Sequence, residues 1–396
     1  MPGQRSPTVY LKAHRPPRVE AGHPWVYRSE VGRVAGEPAP GEIVNVRNSG
    51  GYLLGRGYIN PRSEIIIRLL TRQDEPVDKD FFCRKIRASL DERGHHLKGT
   101  NAYRAIFSEG DGLPGLTVDV YGDYLVVQLS TLGMEKWRGD ILPILIETFS
   151  PKGIYERSDI PSRGLEGLPE AKGLLFGEVP ERVSIFEDDL TFLVDVAQGQ
   201  KTGFFLDQRE NRRAVRQWFQ GNILDCFCYS GAFSAHAAGR AERVLGVDIS
   251  PGPLALAKEH FELNRLAVPS AFLASNCFDM LRALEARGAS FDGIILDPPA
   301  MARGASALPR ARRAHKELNL RALKLLRPGG LLATSSCSAR LSREEFWAIL
   351  AEAARDSRRG LKLLHEGRQP LDHPVLLAVP ETRYLKFFIF RVEEVG

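Results

Sequence analysis

The fold is decided by the stretch I-L-D-C-F-C-Y-S-G-A-F at residues 223–233. Its first four residues predict a buried strand, and the small residues that begin at Ala232 predict a helix. Gly231 lies at the turn between them, where a residue without a Cβ allows a ligand to approach the backbone closely. Because the stretch lacks the G-x-G-x-x-G pattern, it does not predict a cradle for the pyrophosphate of a dinucleotide.

The same strand-to-helix step repeats toward the C-terminus. The predicted strands are 223–226, 243–247, 271–273, 293–296 and 330–335, and the predicted helices are 232–238, 253–264, 278–287, 316–326 and 343–354. This alternation predicts an α/β domain with a parallel sheet and helices on both of its faces. Ligands of such sheets bind beyond the carboxyl ends of the strands, so residues that end each strand are the candidate site residues.

Acidic residues end the first two predicted strands, at Asp225 and Asp248. An acid at the end of the second strand can accept hydrogen bonds from both hydroxyls of a ribose. A ribose-binding acid without a phosphate-binding glycine pattern fits S-adenosylmethionine, and the alternative for Asp248 is the N-cap of the next helix. Asn276 follows the third strand and is a candidate for adenine binding, although it is also a good N-cap.

The fourth and fifth strands end in residues that suit base methylation. Asp297 begins an Asp-Pro-Pro turn, and Cys337 follows the fifth strand, so both are expected at the same edge. Carbon 5 of a pyrimidine becomes nucleophilic after a thiolate adds to carbon 6. The alternative for Cys337 is a small buried apolar residue. Ala300 stands where enzymes that methylate exocyclic amines carry an aromatic residue, which disfavours that reaction.

Residues 9–72 alternate short apolar runs with turn signals, including a hairpin at residues 44–54, and so predict a small β-barrel within residues 1–75. This segment contains 11 basic and 7 acidic side chains, which accounts for +4 of the net charge of +5. A basic module favours an anionic partner, nucleic acid above all. The alternative is an ordinary solvated surface.

The rest of the chain divides into two further predicted domains. Residues 76–184 predict a small α+β domain with a helix at 134–149 and a turn-rich linker and edge at 156–183. Residues 185–396 form the third domain, which carries the alternating strands and helices.

Eight Arg or Lys side chains lie between residues 302 and 327, against a single acid. They are Arg303, Arg310, Arg312, Arg313, Lys316, Arg321, Lys324 and Arg327. Such a stretch beside the Asp297 turn could hold the phosphates that flank a target base. The alternative is a solvated helix face, which is equally expected for Arg321 and Lys324.

The composition excludes several classes of protein. Apolar residues make up 43% and charged residues 26%, as expected of a globular protein rather than a disordered one. No apolar run approaches the roughly 18 residues of a membrane span, and the N-terminus does not resemble a secretory signal. The five cysteines are odd in number and lack zinc-ligand spacing. We therefore expect a cytoplasmic protein with free thiols, no metal and no membrane contact.

The chain resembles, over nearly its whole length, the bacterial 23S ribosomal RNA cytosine-5 methyltransferases of the large-subunit methyltransferase I type, which carry a PUA domain. The most specific match is G-Q-K-T-G-F-F-L-D-Q-R-E-N at residues 199–211. The other matching segments are 22–27, 109–116, 225–233, 297–300, 334–338, 372–375 and 380–386.

This resemblance implies a class I (Rossmann-like) S-adenosylmethionine-dependent methyltransferase domain behind a PUA-like barrel. It implies methylation of a cytidine of 23S ribosomal RNA, either free or in a large-subunit precursor, with Cys337 as the nucleophile. Lys201, Phe204 and Gln208 would help to shape the cofactor pocket, and the family suggests a homodimer.

One departure concerns product release. Many RNA cytosine-5 methylases have a second cysteine in the fourth-strand motif, where this chain has Pro299. Another base must then remove the proton from carbon 5, and Asp372 and His373 are candidates because the resemblance places their motif near the end of the catalytic domain.

Two other functions stay open at this point. The same cysteine and aspartate could support 5-methyluridine formation, and the chain could be a non-catalytic RNA-binding factor in ribosome assembly. A non-catalytic factor is expected to have a damaged cofactor site, whereas Asp225, Gly231 and Asp248 are all present.

Overall fold

A computed structural model describes residues 7–13, 18–301 and 305–394 of the chain. The chain divides into two compact units. The first contains the residues up to 185 together with 194–206 and 371–382, and the second contains 186–193, 207–370 and the residues from 383 onward. None of the helices in the described ranges has the length and apolar character needed to cross a membrane.

The first unit begins with a six-stranded sheet. Its strands are β1 (Thr8–Leu11), β2 (Trp25–Tyr27), β3 (Val31–Ala35), β4 (Ile43–Arg47), β5 (Leu53–Ile59) and β6 (Ile65–Thr71). They lie in the order β2-β6-β5-β4-β1-β3, in which only β1 and β4 pair in parallel. The predicted hairpin is confirmed, because β4 and β5 are antiparallel with Val46 opposite Gly55.

A second sheet of five strands completes the first unit. Its elements are α1 (Lys79–His96), β7 (Ala102–Phe107), β8 (Leu116–Tyr121), β9 (Tyr124–Leu129), α2 (Leu132–Lys136), α3 (Arg138–Phe149), β10 (Gly153–Ser158), α4 (Ser162–Leu165) and β11 (Ala171–Gly177). The strand order is β11-β10-β9-β8-β7. Helices α1 and α3 contact each other, and their apolar side chains share one core with the sheet.

One prediction for this sheet was wrong in detail and another was incomplete. The single helix at 134–149 is two helices, α2 and α3, which meet at Trp137, whose ring packs 4.8 Å from that of Phe82. The stretch 156–183 was expected as linker and edge; it contains the second half of β10 and all of β11, which pair antiparallel, and β11 lies at the edge of the sheet. Only alternate residues of β11 are even partly buried, as expected of an edge strand, and this weak pattern is masked by the surrounding turn residues.

Tyr58 joins the two sheets of the first unit. Its hydroxyl donates to the Pro114 carbonyl at 2.7 Å and lies 3.0 Å from the Thr131 Oγ1. A Cβ on Gly133 would lie 2.1 Å from the Tyr58 ring, so only glycine allows this packing. Residues 1–75 and 76–184 therefore share a tightly packed interface, and their division into separate domains stays a prediction.

Strands β12 (Val183–Glu187) and β13 (Leu190–Val194) form a two-stranded sheet where the chain enters and leaves the second unit. The remaining elements are α5 (Arg209–Trp218), β14 (Gly221–Cys226), α6 (Ala232–Ala238), β15 (Ala241–Asp248), α7 (Pro251–Leu263), β16 (Ser270–Ala274), α8 (Cys277–Ala286), β17 (Phe291–Leu296), α9 (Leu308–Leu325), β18 (Leu326–Ser336), α10 (Arg343–Ser357), β19 (Arg359–Gly367) and β20 (Lys386–Glu394).

The second unit is built on a seven-stranded sheet in the order β16-β15-β14-β17-β18-β20-β19. The first five strands are parallel, and β20 is antiparallel to both of its neighbours. The order reverses between β14 and β17, which opens a crevice at the carboxyl ends of these strands. The predicted α/β class and all five predicted parallel strands are confirmed.

Helix α9 begins at Leu308, eight residues before its predicted start. Buried residues such as Ala311 and His315 extend its apolar face toward the N-terminus, but the arginines between them hide that pattern in the sequence. The antiparallel pair β19 and β20 was also missed, although Phe387, Phe388 and Ile389 are fully buried.

A buried ion cluster ties β12, α5 and α6 together in the second unit. The Glu187 carboxylate accepts a hydrogen bond from Arg212 Nε at 2.8 Å and lies 3.2 Å from His236 Nε2. Burial raises the pKa of Glu187, but the charge of Arg212 and the hydrogen bonds from His236 and Arg212 outweigh it and lower the pKa to about 2. The cluster therefore depends on an ionised Glu187.

The substitution Arg212→Met is expected to lower the free energy of unfolding by about 3–5 kcal/mol at pH 7, because it leaves a buried carboxylate without its cation. The matched control is Arg213→Met, which removes partly exposed ion pairs with Asp188 and Glu210, each worth about 0–1 kcal/mol. Urea denaturation measures both.

The stabilisation by Glu187 is expected to be complete above its ordinary pKa of 4.5 and to be lost as the pH falls toward 2. Equal urea midpoints for the two variants at pH 7 would show that the cluster does not stabilise the fold.

Candidate active site at the carboxyl edge of the parallel sheet

Asp225 lies at the end of β14 and is fully buried. Its Oδ2 accepts a hydrogen bond from Ser234 Oγ at 2.6 Å, whereas its Oδ1 has no hydrogen-bond partner among the described residues. Burial, together with the nearby charges of Asp297 and Asp248, raises the pKa of Asp225 to about 7 against the opposing effect of Ser234. The edge of the sheet thus holds a carboxyl group that is half protonated near neutral pH.

The turn after β14 is tightly wound. Phe227, Tyr229 and Gly231 have φ values of +64°, +48° and +72°. A Cβ on Gly231 would lie 2.8 Å from the Cβ of Ala257 in α7. The structure therefore requires glycine here for the left-handed conformation and for the packing of α7. The approach of a ligand to the backbone at Gly231 stays a prediction.

Asp248 ends β15 and connects two turns at the same edge. Its Oδ2 accepts the backbone N–H of Tyr229 and its Oδ1 that of Ser250, both at 3.0 Å. The N-cap of α7 is Ser250, so the alternative prediction that Asp248 caps this helix was wrong. An ionised carboxylate has about four acceptor positions, and these two bonds use two of them.

Asn276 is the N-cap of α8, which confirms the N-cap prediction made for this residue. Its Oδ1 accepts the backbone N–H of Phe278 at 2.9 Å, and the residue is exposed. Adenine binding by Asn276 stays a prediction.

The ends of β17 and β18 bring Asp297 and Cys337 together. Gln208 Nε2 donates to Asp297 Oδ1 at 2.8 Å, and Ser335 Oγ donates to the same oxygen. The sulfur of Cys337, which is half-buried, lies 4.0 Å from the carbonyl oxygen of Pro298. Three predicted residues, Gln208, Asp297 and Cys337, are thus gathered around one turn.

Sequence reasoning missed several residues that position this site. Ser335 lies in β18, which pairs with the strand that ends just before Asp297, and the contact becomes visible only once these two strands are paired. Asn211 Nδ2 donates to Gln208 Oε1 at 2.5 Å and so turns the Gln208 amide group toward Asp297. Ser234 lies nine residues after its partner Asp225, and no spacing in the sequence signals that contact.

The other cysteines of the second unit, Cys226, Cys228 and Cys277, are buried. A hydrogen bond with Cys277 and burial raise the pKa of Cys226, and burial raises the pKa of Cys228. These two thiols are therefore protonated and unreactive, in contrast to the half-buried Cys337. Over the described ranges, no group of three or more His, Cys, Asp or Glu residues is arranged to hold a metal ion.

Lys201 and Phe204 belong to the first unit. The loop that carries them is anchored by Thr202, whose Oγ1 donates to the buried Asp119 at 2.6 Å. The Lys201 ammonium lies 4.5 Å from the centre of the Phe205 ring. Their role at the cofactor stays a prediction.

The candidate proton acceptors Asp372 and His373 also belong to the first unit, where both are buried. Asp372 Oδ2 accepts the backbone N–H of Arg104 at 3.0 Å, and its Oδ1 lies 3.3 Å from His373 Nδ1. These contacts hold the segment in place and give no support for a role in proton transfer.

Most of the basic stretch is neutralised by acids. Of its members, Arg303 lies outside the described residues. Five others lie within 4 Å of a carboxylate: Arg312, Lys316, Arg321, Lys324 and Arg327. Arg310 and Arg313 are exposed and form no ion pair with any described residue, so among the described members these two retain the predicted potential for phosphate binding.

Comparison with known families agrees with this fold. Residues 9–72 match the PUA-like domain family, and residues 169–391 match the S-adenosylmethionine-dependent methyltransferase family. The sheet order, the acids at the strand ends and this match define the chain as an S-adenosylmethionine-dependent methyltransferase.

Two relatives are named ribosomal RNA large subunit methyltransferase I, from Yersinia pestis bv. Antiqua (strain Angola) and Yersinia pseudotuberculosis serotype O:3 (strain YPIII). Each is 40% identical over 377 residues, which cover 93% of this chain and 95% of the relative. The chain therefore belongs to the ribosomal RNA large subunit methyltransferase I family.

The fold is shared with SMU.776, a protein described as a methyltransferase and solved in complex with S-adenosylhomocysteine. The TM-score is 0.84 with 23% identity, over 97% of this chain and 99% of that one.

The raised pKa of Asp225 predicts a pH-dependent stability. Between its ordinary pKa of 3.8 and about 7, the unfolded chain loses the proton that the folded chain keeps, so stability falls as the pH rises. Asp225→Asn cannot ionise, and its melting temperature relative to wild type is expected to be higher at pH 8 than at pH 5. Asp279→Asn, at an exposed position, is the control. A pH-independent difference for Asp225→Asn would contradict the assignment.

Proposed function

We propose that the chain methylates carbon 5 of a cytidine in 23S ribosomal RNA, with the Cys337 thiolate adding to carbon 6 of the base. The observation that carries this proposal is the meeting of Cys337 with the Asp297-Pro298 turn, where the sulfur lies 4.0 Å from the Pro298 carbonyl oxygen. The name of the Yersinia relatives supports large-subunit ribosomal RNA as the substrate.

Carbon 5 of cytosine is a weak nucleophile, and addition of the cysteine to carbon 6 increases its nucleophilicity. The Cys337 thiolate forms a carbon–sulfur bond at carbon 6, and the displaced electron pair makes carbon 5 the nucleophilic end of an enamine. S-adenosylmethionine supplies an electrophilic methyl group when bound. Removal of the carbon-5 proton then restores the ring double bond and expels the thiolate.

Asp297 is suited to select cytidine over uridine. The hydrogen bonds from Gln208 and Ser335 fix its carboxylate beside the cysteine turn. A carboxylate can accept hydrogen bonds from a protonated N3 and from the 4-amino group of cytosine, whereas it repels the O4 of a neutral uridine. Holding the carboxylate rigidly makes this discrimination stronger, because no reorganisation is needed when the base arrives.

The strand-end residues fit the cofactor. Asp248 retains two acceptor positions for a ribose, and the unpaired Oδ1 of Asp225 can accept from a ligand in the same crevice. Asn276, at the start of α8, and Gln208, bound to Asp297, both belong to the second unit. Residues 1–75, with their net charge of +4 and the PUA-like match, are proposed to dock the RNA.

The direct test is transfer of a labelled methyl group to 23S ribosomal RNA, offered free and in large-subunit precursors, followed by nucleoside analysis. We expect the label in 5-methylcytidine. Label found only in an N-methylated base or in 5-methyluridine would overturn the proposed chemistry.

Cys337→Ala is expected to abolish methylation while cofactor binding is retained. Wild-type enzyme is expected to form a covalent adduct with RNA that contains 5-fluorocytidine, because fluorine at carbon 5 cannot leave as a proton does. The control is Cys83→Ala, at a half-buried cysteine of α1, which should form the adduct normally. An adduct formed by Cys337→Ala would place the nucleophile elsewhere.

Asp248→Ala is expected to weaken binding of S-adenosylmethionine by about 1.5–3 kcal/mol for each ribose hydrogen bond lost. Ser250→Ala is the matched control, because it keeps the backbone N–H that Asp248 binds and its side chain makes no capping hydrogen bond. Titration calorimetry that gives equal affinities for the two variants would remove Asp248 from the cofactor site.

A further inference from the structure

Lys386 is a buried cation that the proposed reaction does not use. It lies in β20 with only 8% of its surface exposed. Burial lowers the pKa of its ammonium to about 8. Lysines are rarely this buried without a charged partner, so the position calls for a functional explanation.

Lys386 contacts the chain on both sides of Cys337, through its backbone on one side and its ammonium on the other. Lys386 pairs with Ser336 in the antiparallel register of β18 and β20. Its Nζ donates to the carbonyl oxygen of Ser338 and, at 2.8 Å, to that of Tyr384. Within the part of the chain that the structure describes, no carboxylate forms an ion pair with it, so both of its acceptors are neutral.

The charged and titratable groups around Lys386 come from four places. A Cys337 thiolate and Glu345 of α10 raise the pKa of Lys386, and Arg383 lowers it. His315 of α9 faces it as a neutral imidazole, because burial and the charge of Lys386 lower the pKa of His315 to about 4. After burial itself, the Cys337 thiolate is the strongest of these influences.

An electrostatic interaction acts equally on both partners. If a thiolate at Cys337 favours the charged form of Lys386, then the ammonium favours the thiolate of Cys337 by the same free energy. The hydrogen bond to Ser338 fixes the turn that carries the sulfur. One side chain thus provides both the position of the cysteine and the charge that its reactive form needs.

We propose that Lys386 is a positioning residue for Cys337, which holds the turn at residues 336–338 and stabilises the thiolate before it attacks the base. The proposal deepens the proposed function and rests on Cys337 as its nucleophile. Lys386 stays protonated throughout, and the thiol proton passes to solvent.

The test measures the alkylation rate of Cys337 by iodoacetamide against pH, with the modified peptide quantified by mass spectrometry. Lys386→Gln keeps a hydrogen-bond donor but removes the charge, and Lys386→Arg keeps the charge. Lys362→Gln, on the neighbouring strand β19 and exposed, is the matched control. We expect the midpoint of the pH dependence of Cys337 alkylation to rise by about one pH unit in Lys386→Gln. In the other two variants we expect it to stay near the wild-type value.

A midpoint that does not move in Lys386→Gln would overturn the proposal and would assign Lys386 a purely structural role. Should Lys386→Gln not fold, the wild-type midpoint decides, since a value at or above the ordinary thiol pKa of about 8.5 would also overturn it. The 5-fluorocytidine adduct distinguishes a failure of the proposed function from a failure of the role proposed for Lys386. If the adduct requires Cys337 while the midpoint is insensitive to Lys386, the proposed function stands and only the role of Lys386 fails.

Discussion

The parallel arrangement of β14, β15, β17 and β18 is the constraint on which the candidate site depends. Parallel strands end at one edge of the sheet, so acids and a cysteine that are far apart in sequence come to lie at the same edge. The reversal of strand order between β14 and β17 keeps helices from closing that edge. The topology of the sheet produces the crevice, and the side chains at its edge supply the hydrogen-bonding and reactive groups.

Three carboxylates at one edge would repel one another if nothing compensated for their charge. The structure gives each a different set of donors: a serine hydroxyl for Asp225, two backbone N–H groups for Asp248, and an amide with a second hydroxyl for Asp297. Asp225 has the weakest compensation and the deepest burial, and it responds by holding its proton to about pH 7. The site therefore carries less negative charge at neutral pH than three ionised carboxylates would give.

The sequence allowed the parallel sheet and the strand-end residues to be predicted, because continuous apolar runs and their turns are local signals. It did not reveal β19 and β20, because β20 is placed by pairing with β18, and β19 by pairing with β20, rather than by a pattern of their own. Local reasoning also did not reveal the packing of Gly231 against Ala257, because these two residues are distant in sequence. Lys386 was part of a matched motif without a role, because its burial becomes visible only when the sheet is assembled.

The contact between Tyr58 and Gly133 bears on how such enzymes can be rebuilt. A ring that fits only against a residue without a side chain makes the N-terminal sheet a poor candidate for exchange between enzymes, since its donor and recipient must share both the aromatic residue and the glycine. A shortened chain that began after residue 75 would leave an open apolar hollow over Gly133. Residues 1–75 and the sheet beneath them are thus expected to change together during evolution, as one inherited block.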